Sequence, residues 1–189
     1  MYEAKNFEAL LGTEGFSDVL LRNHFTLYEG YVSNTNKVSD LLKSTEINTP
    51  AYNELKRRFG WEWDGMRLHE LYFGNMIKGG STLDSKNPLA KKMEGEFGSI
   101  ENWEKDFKAT GVMRGIGWVI LAQDTETGKL FNVWINEHDG GHLAGAKPLL
   151  VMDVFEHAFA LDYGIKRADY ITSFWNAINW SVVENRFSR

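Results

Sequence analysis

Asp153-Val-Phe-Glu-His157 is the most informative stretch of this chain, and it lies inside the apolar run 148–163. It places a carboxylate and an imidazole four residues apart, a spacing that puts both on one face of a helix. Burying an Asp and a His is costly unless something neutralises them, and a metal ion does so. Ordinary hydrogen-bonded core pairs share this spacing, so its meaning depends on the rest of the chain.

The composition is that of a globular protein in which only nitrogen and oxygen atoms can hold a metal. The 189 residues are 43% hydrophobic and 25% charged, which suits one compact unit or two small domains. The absence of Cys excludes disulfides, thiolate metal sites and thiol nucleophiles. The net charge of −5 argues against nucleic-acid binding, and no apolar stretch has the length of a membrane span. No secretory signal is visible, so we expect a cytoplasmic protein.

Helical periodicity dominates the first half of the chain. The predicted helices are 17–43, with a kink or break near 34–36, a short helix over 51–59, and a second main helix over 65–77. The stretch Lys78-Gly-Gly-Ser-Thr82 ends the last of these and begins a linker. We therefore expect a helical-hairpin domain over 1–84.

The second half alternates between helical and strand patterns. Helices are predicted over 88–97, 100–111, 155–163 and 168–187, and strands over 117–122, 130–135 and 149–152. The first two strands are joined by a turn at 124–128, which makes them a hairpin. The predicted fold class is therefore α+β, with a small three-stranded antiparallel sheet in a second domain over 85–189 and the functional site between the two domains.

The histidines form a set that suits a single metal ion. His24 and His69 lie on the apolar sides of the two long helices, and His157 follows Asp153. Three neutral imidazoles and one carboxylate suit Fe, Mn or Zn. A di-iron centre is disfavoured because the chain has no Glu-x-x-His pair, and a metalloprotease because His69-Glu-Leu-Tyr-Phe73 lacks a second His. No glycine-rich nucleotide-binding loop is present.

The segment Asp153-Val-Phe-Glu-His-Ala-Phe-Ala-Leu-Asp-Tyr163 resembles the Asp-x-Trp-Glu-His-Ala-Tyr-Tyr-x-Asp-Tyr signature of the iron/manganese superoxide dismutase family. Further blocks that match in the same order are Phe97-Gly-Ser99, Gly115-Ile-Gly-Trp118 and Phe174-Trp-Asn-Ala-Ile-Asn-Trp180. The resemblance covers nearly the whole chain. It implies an enzyme that converts superoxide to O2 and H2O2 as its metal cycles between +3 and +2, and that forms a homodimer or homotetramer.

The resemblance also implies which residues hold the metal. The ligands would be His24, His69, Asp153 and His157, with a water or hydroxide as the fifth ligand. These ligands serve both metals of the family, and we expect one ion per subunit, with Fe or either of Fe and Mn favoured.

A second implied residue is a hydrogen-bond partner for that solvent ligand. The family usually uses a Gln for this purpose, at one of two positions, which correspond here to Gly65 and to the loop 136–139. Our interpretation is that His138 takes the role of the Gln and that Gly65 leaves room for it. His142 is the alternative.

The gateway residues differ from the family pattern. We expect Tyr31 to keep the role of the gateway Tyr, whereas Phe159 and Ala160 replace the signature's Tyr-Tyr pair and no His follows His24 on its helix. Both partners of the family's His–Tyr contact between subunits are thus absent together. The spacing from His24 to Tyr31 is seven residues, which is in phase on a regular helix, so we expect no extra-residue bulge.

The remaining matches concern the apolar wall, the dimer and the substrate funnel. Phe73 and Phe155 replace family Trp residues and keep the wall aromatic. The resemblance implies that Glu156 reaches a ligand His of the other subunit, and that Arg167 adds positive potential near the entry funnel. Because the gateway is altered, the alternative function is a metal-binding protein of this fold with weak or no dismutase activity.

Overall fold

A computed structural model describes residues 1–188 and shows an α+β chain, which confirms the predicted class. The helices are α1 (Asp18–Ser44), α2 (Pro50–Gly74), α3 (Pro88–Phe97), α4 (Ile100–Gly111), α5 (Ala160–Tyr163), α6 (Arg167–Trp175) and α7 (Trp180–Ser188). The strands are β1 (Gly117–Asp124), β2 (Leu130–Asn136) and β3 (Ala146–Asp153), and 3₁₀ turns occupy Glu8–Leu10 and Glu156–Ala158. Within residues 1–188, no helix combines the length and the apolar character that crossing a membrane requires.

The long helix α1 begins where the sequence predicts and continues without a break. The Ser17 hydroxyl accepts a hydrogen bond from the Leu20 N–H and caps the first turn. The kink predicted near 34–36 is wrong, because the polar side chains there do not compete with the helical hydrogen bonds. Thr35 is buried, and the Asn36 amide instead exchanges two hydrogen bonds of 2.8 Å with the backbone of Tyr2.

The helix α2 is one element where the sequence predicted two, 51–59 and 65–77. Thr49 caps it and Pro50 occupies its first turn. The glycines at 60 and 65 lower helix propensity, but packing against α1 overrides that preference. The helix ends at Gly74 rather than 77 because Met76 pairs with Ile178 in an isolated β-bridge.

The sheet places the start of β1 beside the end of β3. The strand order is β2-β1-β3, and all pairs are antiparallel. In this register Trp118 lies opposite Ile135 on one side and Asp153 on the other. The buried rings of Trp103 and Phe107 on α4 are part of the core around this sheet. The indole N–H donor of Trp118 and the carboxylate of Asp153 are therefore neighbours at one edge of the core.

The C-terminal helices are shorter than the sequence predicted. The segment 155–163 is a 3₁₀ turn followed by the four-residue α5, which ends at Gly164 with φ of +57°. The predicted helix 168–187 is divided into α6 and α7. The intervening residues pair with the chain that follows α2: Ile77 N–H donates to Ala177 O at 2.8 Å, and Asn179 N–H donates to Asn75 O at 2.9 Å. These contacts lie far apart in sequence, so helical periodicity does not reveal them.

We predict that Gly117→Ala destabilises the fold by about 1–3 kcal/mol. Gly117 has φ of +139°, and a Cβ there would lie 1.9 Å from the Ile135 carbonyl oxygen. Gly30→Ala is the matched control, because Gly30 lies on α1 with no atom within 4 Å of the added Cβ. It should stabilise by about 0.5–1 kcal/mol. Urea denaturation measures both changes, and an unchanged free energy of unfolding for Gly117→Ala would contradict the described register.

Candidate metal centre

Four side chains from the two halves of the chain converge on one buried point. The three imidazole Nε2 atoms surround Asp153 Oδ2, at 3.2 Å for His24, 3.6 Å for His69 and 3.1 Å for His157. The four candidate ligand atoms all lie within 4.8 Å of one another. The structure thus brings together all four residues that the sequence singled out, two from the helical hairpin and two from the second half.

Asp153 and His157 are close in space, but they do not lie on one face of a helix as their four-residue spacing suggested. Asp153 is the last residue of β3, and His157 lies in the 3₁₀ turn Glu156–Ala158. The turn is held by Asp153 itself, whose Oδ1 accepts the Phe155 N–H at 2.8 Å. Tyr170 O–H donates to the Asp153 carbonyl at 2.6 Å. With Oδ1 and the backbone fixed, Oδ2 is left to face the three imidazoles.

His69 provides the clearest sign that the site suits a cation. Its Nδ1 lies 2.6 Å from the Gly65 carbonyl oxygen, which only accepts, so Nδ1 carries the ring proton and Nε2 presents a lone pair. That Nε2 is buried and has no hydrogen-bond partner among residues 1–188. A buried lone pair beside a carboxylate is costly without a positively charged group to bind it. Iron and manganese ions fit this donor set.

The protonation states favour metal binding near neutral pH. Burial lowers the pKa of His24, and burial together with the nearby His24 lowers the pKa of His69 further. Burial alone would raise the pKa of Asp153, but attraction and hydrogen bonding to His157 and His24 outweigh it and hold this pKa below its usual range. The site therefore offers the neutral rings of His24 and His69 beside one ionised carboxylate. Where the Nε2 atoms of His24 and His157 donate to Asp153, an incoming ion takes the place of the proton.

His138 lies beside this cluster and takes part in a series of hydrogen bonds that all run in one direction. Trp118 Nε1–H donates to His138 Nδ1 at 3.1 Å. An indole is only a donor, so Nδ1 is unprotonated and Nε2 carries the ring proton. Nε2 lies 2.7 Å from the Tyr31 hydroxyl oxygen and donates to it. Burial lowers the pKa of His138 to about 4. The charge of Asp153 opposes this change, whereas the charges of His157 and Arg58 lower the pKa further.

Gly65 makes room for Tyr31 rather than for His138, which corrects the sequence interpretation. A Cβ at position 65 would lie 2.6 Å from Tyr31 Cδ1. The Tyr31 ring stacks on His69, with centroids 5.1 Å apart and planes 26° apart. Burial raises the pKa of Tyr31, with Asp153 and Glu62 adding to the effect, so the phenol stays protonated. Since α1 is an uninterrupted α-helix, His24 and Tyr31 lie on its same face, as their spacing predicted.

His142 lies outside the site. Its side chain is partly exposed, and its Nε2 donates to the backbone carbonyl of His138 at 2.8 Å. The ring therefore contacts the loop that carries His138 without reaching the ligand cluster. Between the two candidates for the position beside the ligands, the geometry favours His138.

Trp61 borders the site and was missed by the sequence reasoning. Its ring centroid lies 4.6 Å from that of His138 and 5.5 Å from that of Tyr31. Its Nε1–H donates to Glu137, a residue in the left-handed region with φ of +52°. Trp61 lies one helical turn before Gly65, so the two residues share a face of the unbroken α2. Dividing the predicted helix between 59 and 65 hides this relation. Phe155, by contrast, lines the site as predicted, stacked between His138 and His157.

The two residues predicted for the dimer and the funnel, Glu156 and Arg167, line one surface groove together with Phe159. Glu156 is exposed. Arg167 donates to the carbonyls of Met113 at 2.7 Å and Gly115 at 2.8 Å. Its guanidinium thus fixes the loop before β1.

Comparison with known proteins agrees with this geometry. A sequence model of the C-terminal domain of iron/manganese superoxide dismutases matches residues 85–186. The iron superoxide dismutase of Aquifex pyrophilus is 36% identical over 185 residues, which are 93% of this chain and 86% of that protein. That of Cupriavidus metallidurans is 36% identical, with 92% and 89% covered. A manganese superoxide dismutase of Haloferax volcanii is 31% identical, with 90% and 86% covered.

The fold and the buried cluster of three imidazoles and one carboxylate define a protein with a candidate mononuclear metal site. The matches extend over both halves of the chain, including the helices that carry His24 and His69. The chain belongs to the iron/manganese superoxide dismutase family.

We predict that the metal-free protein loses stability as the pH falls from about 6.5 to about 4. His24, His69 and His138 have folded-state pKa values below the ordinary 6.5, so over this range the unfolded chain binds protons that the folded state excludes. Each fully affected imidazole contributes a slope of about 1.4 kcal/mol per pH unit. Urea denaturation from pH 7 to pH 4.5 measures it.

His138→Gln should reduce this slope by about one imidazole's share. A free energy of unfolding that is flat across this pH range would contradict the neutral, buried state of the three imidazoles.

Proposed function

We propose that this protein dismutes superoxide at one iron or manganese ion held by His24, His69, Asp153 and His157. The observation that carries the proposal is the convergence of three imidazole nitrogens on Asp153 Oδ2, one of them the buried, unpartnered Nε2 of His69. Relatives named as superoxide dismutases, similar over about nine tenths of the chain, support the same activity.

The bound ion supplies one-electron chemistry by alternating between the +3 and +2 states, oxidising one superoxide to O2 and reducing the next to H2O2 with uptake of two protons. The protein holds the donor atoms in place. Gly65 fixes the tautomer of His69, and the Phe155 N–H fixes the orientation of Asp153. The carboxylate would offset part of the charge of the ion in a site where three of the four donor residues are buried.

His138 and Tyr31 are the residues that we propose to act on protons. The order Trp118 to His138 to Tyr31 leaves the Tyr31 O–H free to donate onward, because its oxygen already accepts from His138. Since burial keeps Tyr31 protonated at neutral pH, it is a proton donor and not an anion. We propose that Tyr31, whose oxygen is held by His138, would donate to a water or hydroxide at the metal site and would pass protons to superoxide there.

Iron, or either iron or manganese, is the metal that we propose. Relatives named for iron and for manganese occur at similar identity, 36% and 31%. Beside the ligand cluster, this chain has His138 in place of the usual Gln. The hydrogen bond to the solvent ligand tunes the reduction potential. His138 would act on that bond through Tyr31, so an imidazole in place of an amide affects which metal is active.

We propose a homodimer, or a homotetramer built from it, that uses the face around Glu156. Met113 and Ile165 line one surface groove with Glu156, and both are exposed, Ile165 at 99%. Leu161 on α5 is exposed too. Exposed apolar residues beside a metal-site residue are typical of an interaction surface.

Two further proposals rest on sequence: the division into domains 1–84 and 85–189, and a cytoplasmic location.

Ile165→Asp should weaken this dimer by about 100-fold, because it places an unpaired charge in the interface. Ile47→Asp is the matched control, since Ile47 is also exposed, at 67%, on the loop between α1 and α2. Sedimentation velocity at several concentrations measures both. A wild-type protein that stays monomeric at micromolar concentration would refute the dimer.

The alternative is a metal-binding protein of this fold with weak or no dismutase activity. Ala160 and Phe159 favour it, because they leave the gateway without the hydroxyls of the family's Tyr-Tyr pair. Dismutation per bound metal separates the two functions.

We predict full activity per ion after reconstitution of the metal-free protein with iron, and measurable activity with manganese. Asp153→Ala should abolish stoichiometric metal binding, since it removes the negative ligand at the centre of the cluster. Asp169→Ala, at an exposed position on α6, is the control and should bind one ion per chain. Full loading with negligible turnover would reject dismutation, and retained metal in Asp153→Ala would reject the ligand set.

A further inference from the structure

The partly exposed side chains around the ligand cluster indicate the side from which an anion reaches it. His24, His69, Asp153 and His138 are buried. Tyr31 and Trp61, which cover His69 and His138, are partly exposed. Solvent therefore reaches the cluster along these two rings on the His138 side, and also at His157, whose side chain is 25% exposed.

Arg58 is a cation at this entrance, where the Trp61 ring also donates to the carboxylate of Glu137. Its guanidinium lies 4.1 Å from the centroid of the Trp61 ring, a cation–π contact with the indole that packs on Tyr31 and His138. Its side chain is 48% exposed, so the charge faces solvent. Arg167, for which the resemblance implies a similar purpose, donates to the carbonyls of Met113 and Gly115.

The partner of Arg58 is a carboxylate that faces the other way, into the protein. Glu62 Oε1 lies 2.7 Å from both Nε and one terminal nitrogen of the guanidinium, and the Glu62 side chain is only 3% exposed. Its Oε2 is buried without a hydrogen-bond partner in the described residues. The pair is thus an oriented dipole, with the positive end in solvent beside the entrance and the negative end inside the hairpin.

We propose that Arg58 is the steering residue that draws superoxide to the metal site, and that buried Glu62 holds it over Trp61 and weakens its field. The inference rests on the proposed function for the identity of the anion. With a net charge of −5, the chain as a whole repels superoxide, so a local cation at the entrance is needed for fast association. Arg58 does not touch the reacting atoms and acts on their approach.

The first test compares Arg58→Gln with Arg57→Gln in the iron-loaded protein. Arg57 also pairs with a Glu on α2, but both members of that pair are exposed, at 72% and 68%. Pulse radiolysis should give a kcat/KM that falls about 2- to 5-fold for Arg58→Gln at low ionic strength, with the gap closing above about 0.5 M salt. Arg57→Gln should change kcat/KM much less, and kcat should stay unchanged in both. Equal effects of the two variants would overturn the proposal.

The second test uses the sign of the charge at Glu62. Glu62→Gln removes the buried negative end, so kcat/KM should rise about 2-fold. The double variant Arg58→Gln/Glu62→Gln leaves no unpaired buried carboxylate and controls for loss of stability. Its kcat/KM should stay below that of the wild type, and Arg58→Lys should retain most of the wild-type rate. A fall in Glu62→Gln, or a wild-type rate in the double variant, would contradict steering.

Azide binding separates this proposal from dismutation itself. Titration of the iron-loaded protein with azide, followed by its optical spectrum, measures how well a small anion reaches the ion without any turnover. Arg58→Gln should raise the azide Kd about 2- to 5-fold at low salt, whereas Arg57→Gln should not. If dismutation is absent but this difference persists, the entrance role of Arg58 stands without superoxide as the anion. An azide Kd equal in all variants would reject it.

Discussion

The negative charge of Asp153, buried against three imidazoles, is the interaction on which this structure depends. A carboxylate without solvent is stable only where its partners are fixed, and here each partner comes from a different element. His24 on α1 and His69 on α2 require the helical hairpin, and His157 requires the 3₁₀ turn that Asp153 Oδ1 holds in place. The contacts of the chain after α2 with residues 177–179 fasten the hairpin to the second half. The cluster and the packing of the two halves thus stabilise each other.

The residues around the cluster show how an imidazole at position 138 is accommodated by its neighbours. An imidazole at position 138 has one acceptor and one donor nitrogen, and both are used, by Trp118 and by Tyr31. Gly65 leaves room for the Tyr31 ring to lie against His69, close enough for its hydroxyl to reach His138. Trp61 then covers His138, and Arg58 covers Trp61. From the ligands to solvent, the residues form a continuous series of ring contacts that ends in a positive charge.

The sequence predicted those features that depend on local pattern or on a shared motif. The three strands, α3 and α4 lie where the sequence pattern and the capping residues indicated. The four cluster residues are those that the resemblance implied, although Asp153 and His157 meet through a strand end and a 3₁₀ turn and not on one helix. The errors occurred where distant contacts override local preference. Packing carries α2 through Gly60 and Gly65, and pairing with the chain after α2 interrupts the last helix at 176–179. The place of Tyr31 over Gly65 depends on how two helices cross, and the contact of Arg58 with Trp61 depends on an unbroken α2.

Anomalous diffraction at the iron edge, on crystals of the iron-loaded protein, tests the central claim most directly. The account predicts one strong peak per chain, bound by the Nε2 atoms of His24, His69 and His157 and by Asp153 Oδ2, with Asp153 Oδ1 still accepting the Phe155 N–H. It also predicts that His138 keeps its contacts with Trp118 and Tyr31 and does not bind the ion. A peak elsewhere, or a ligand set that lacks Asp153 or includes His138, would contradict it.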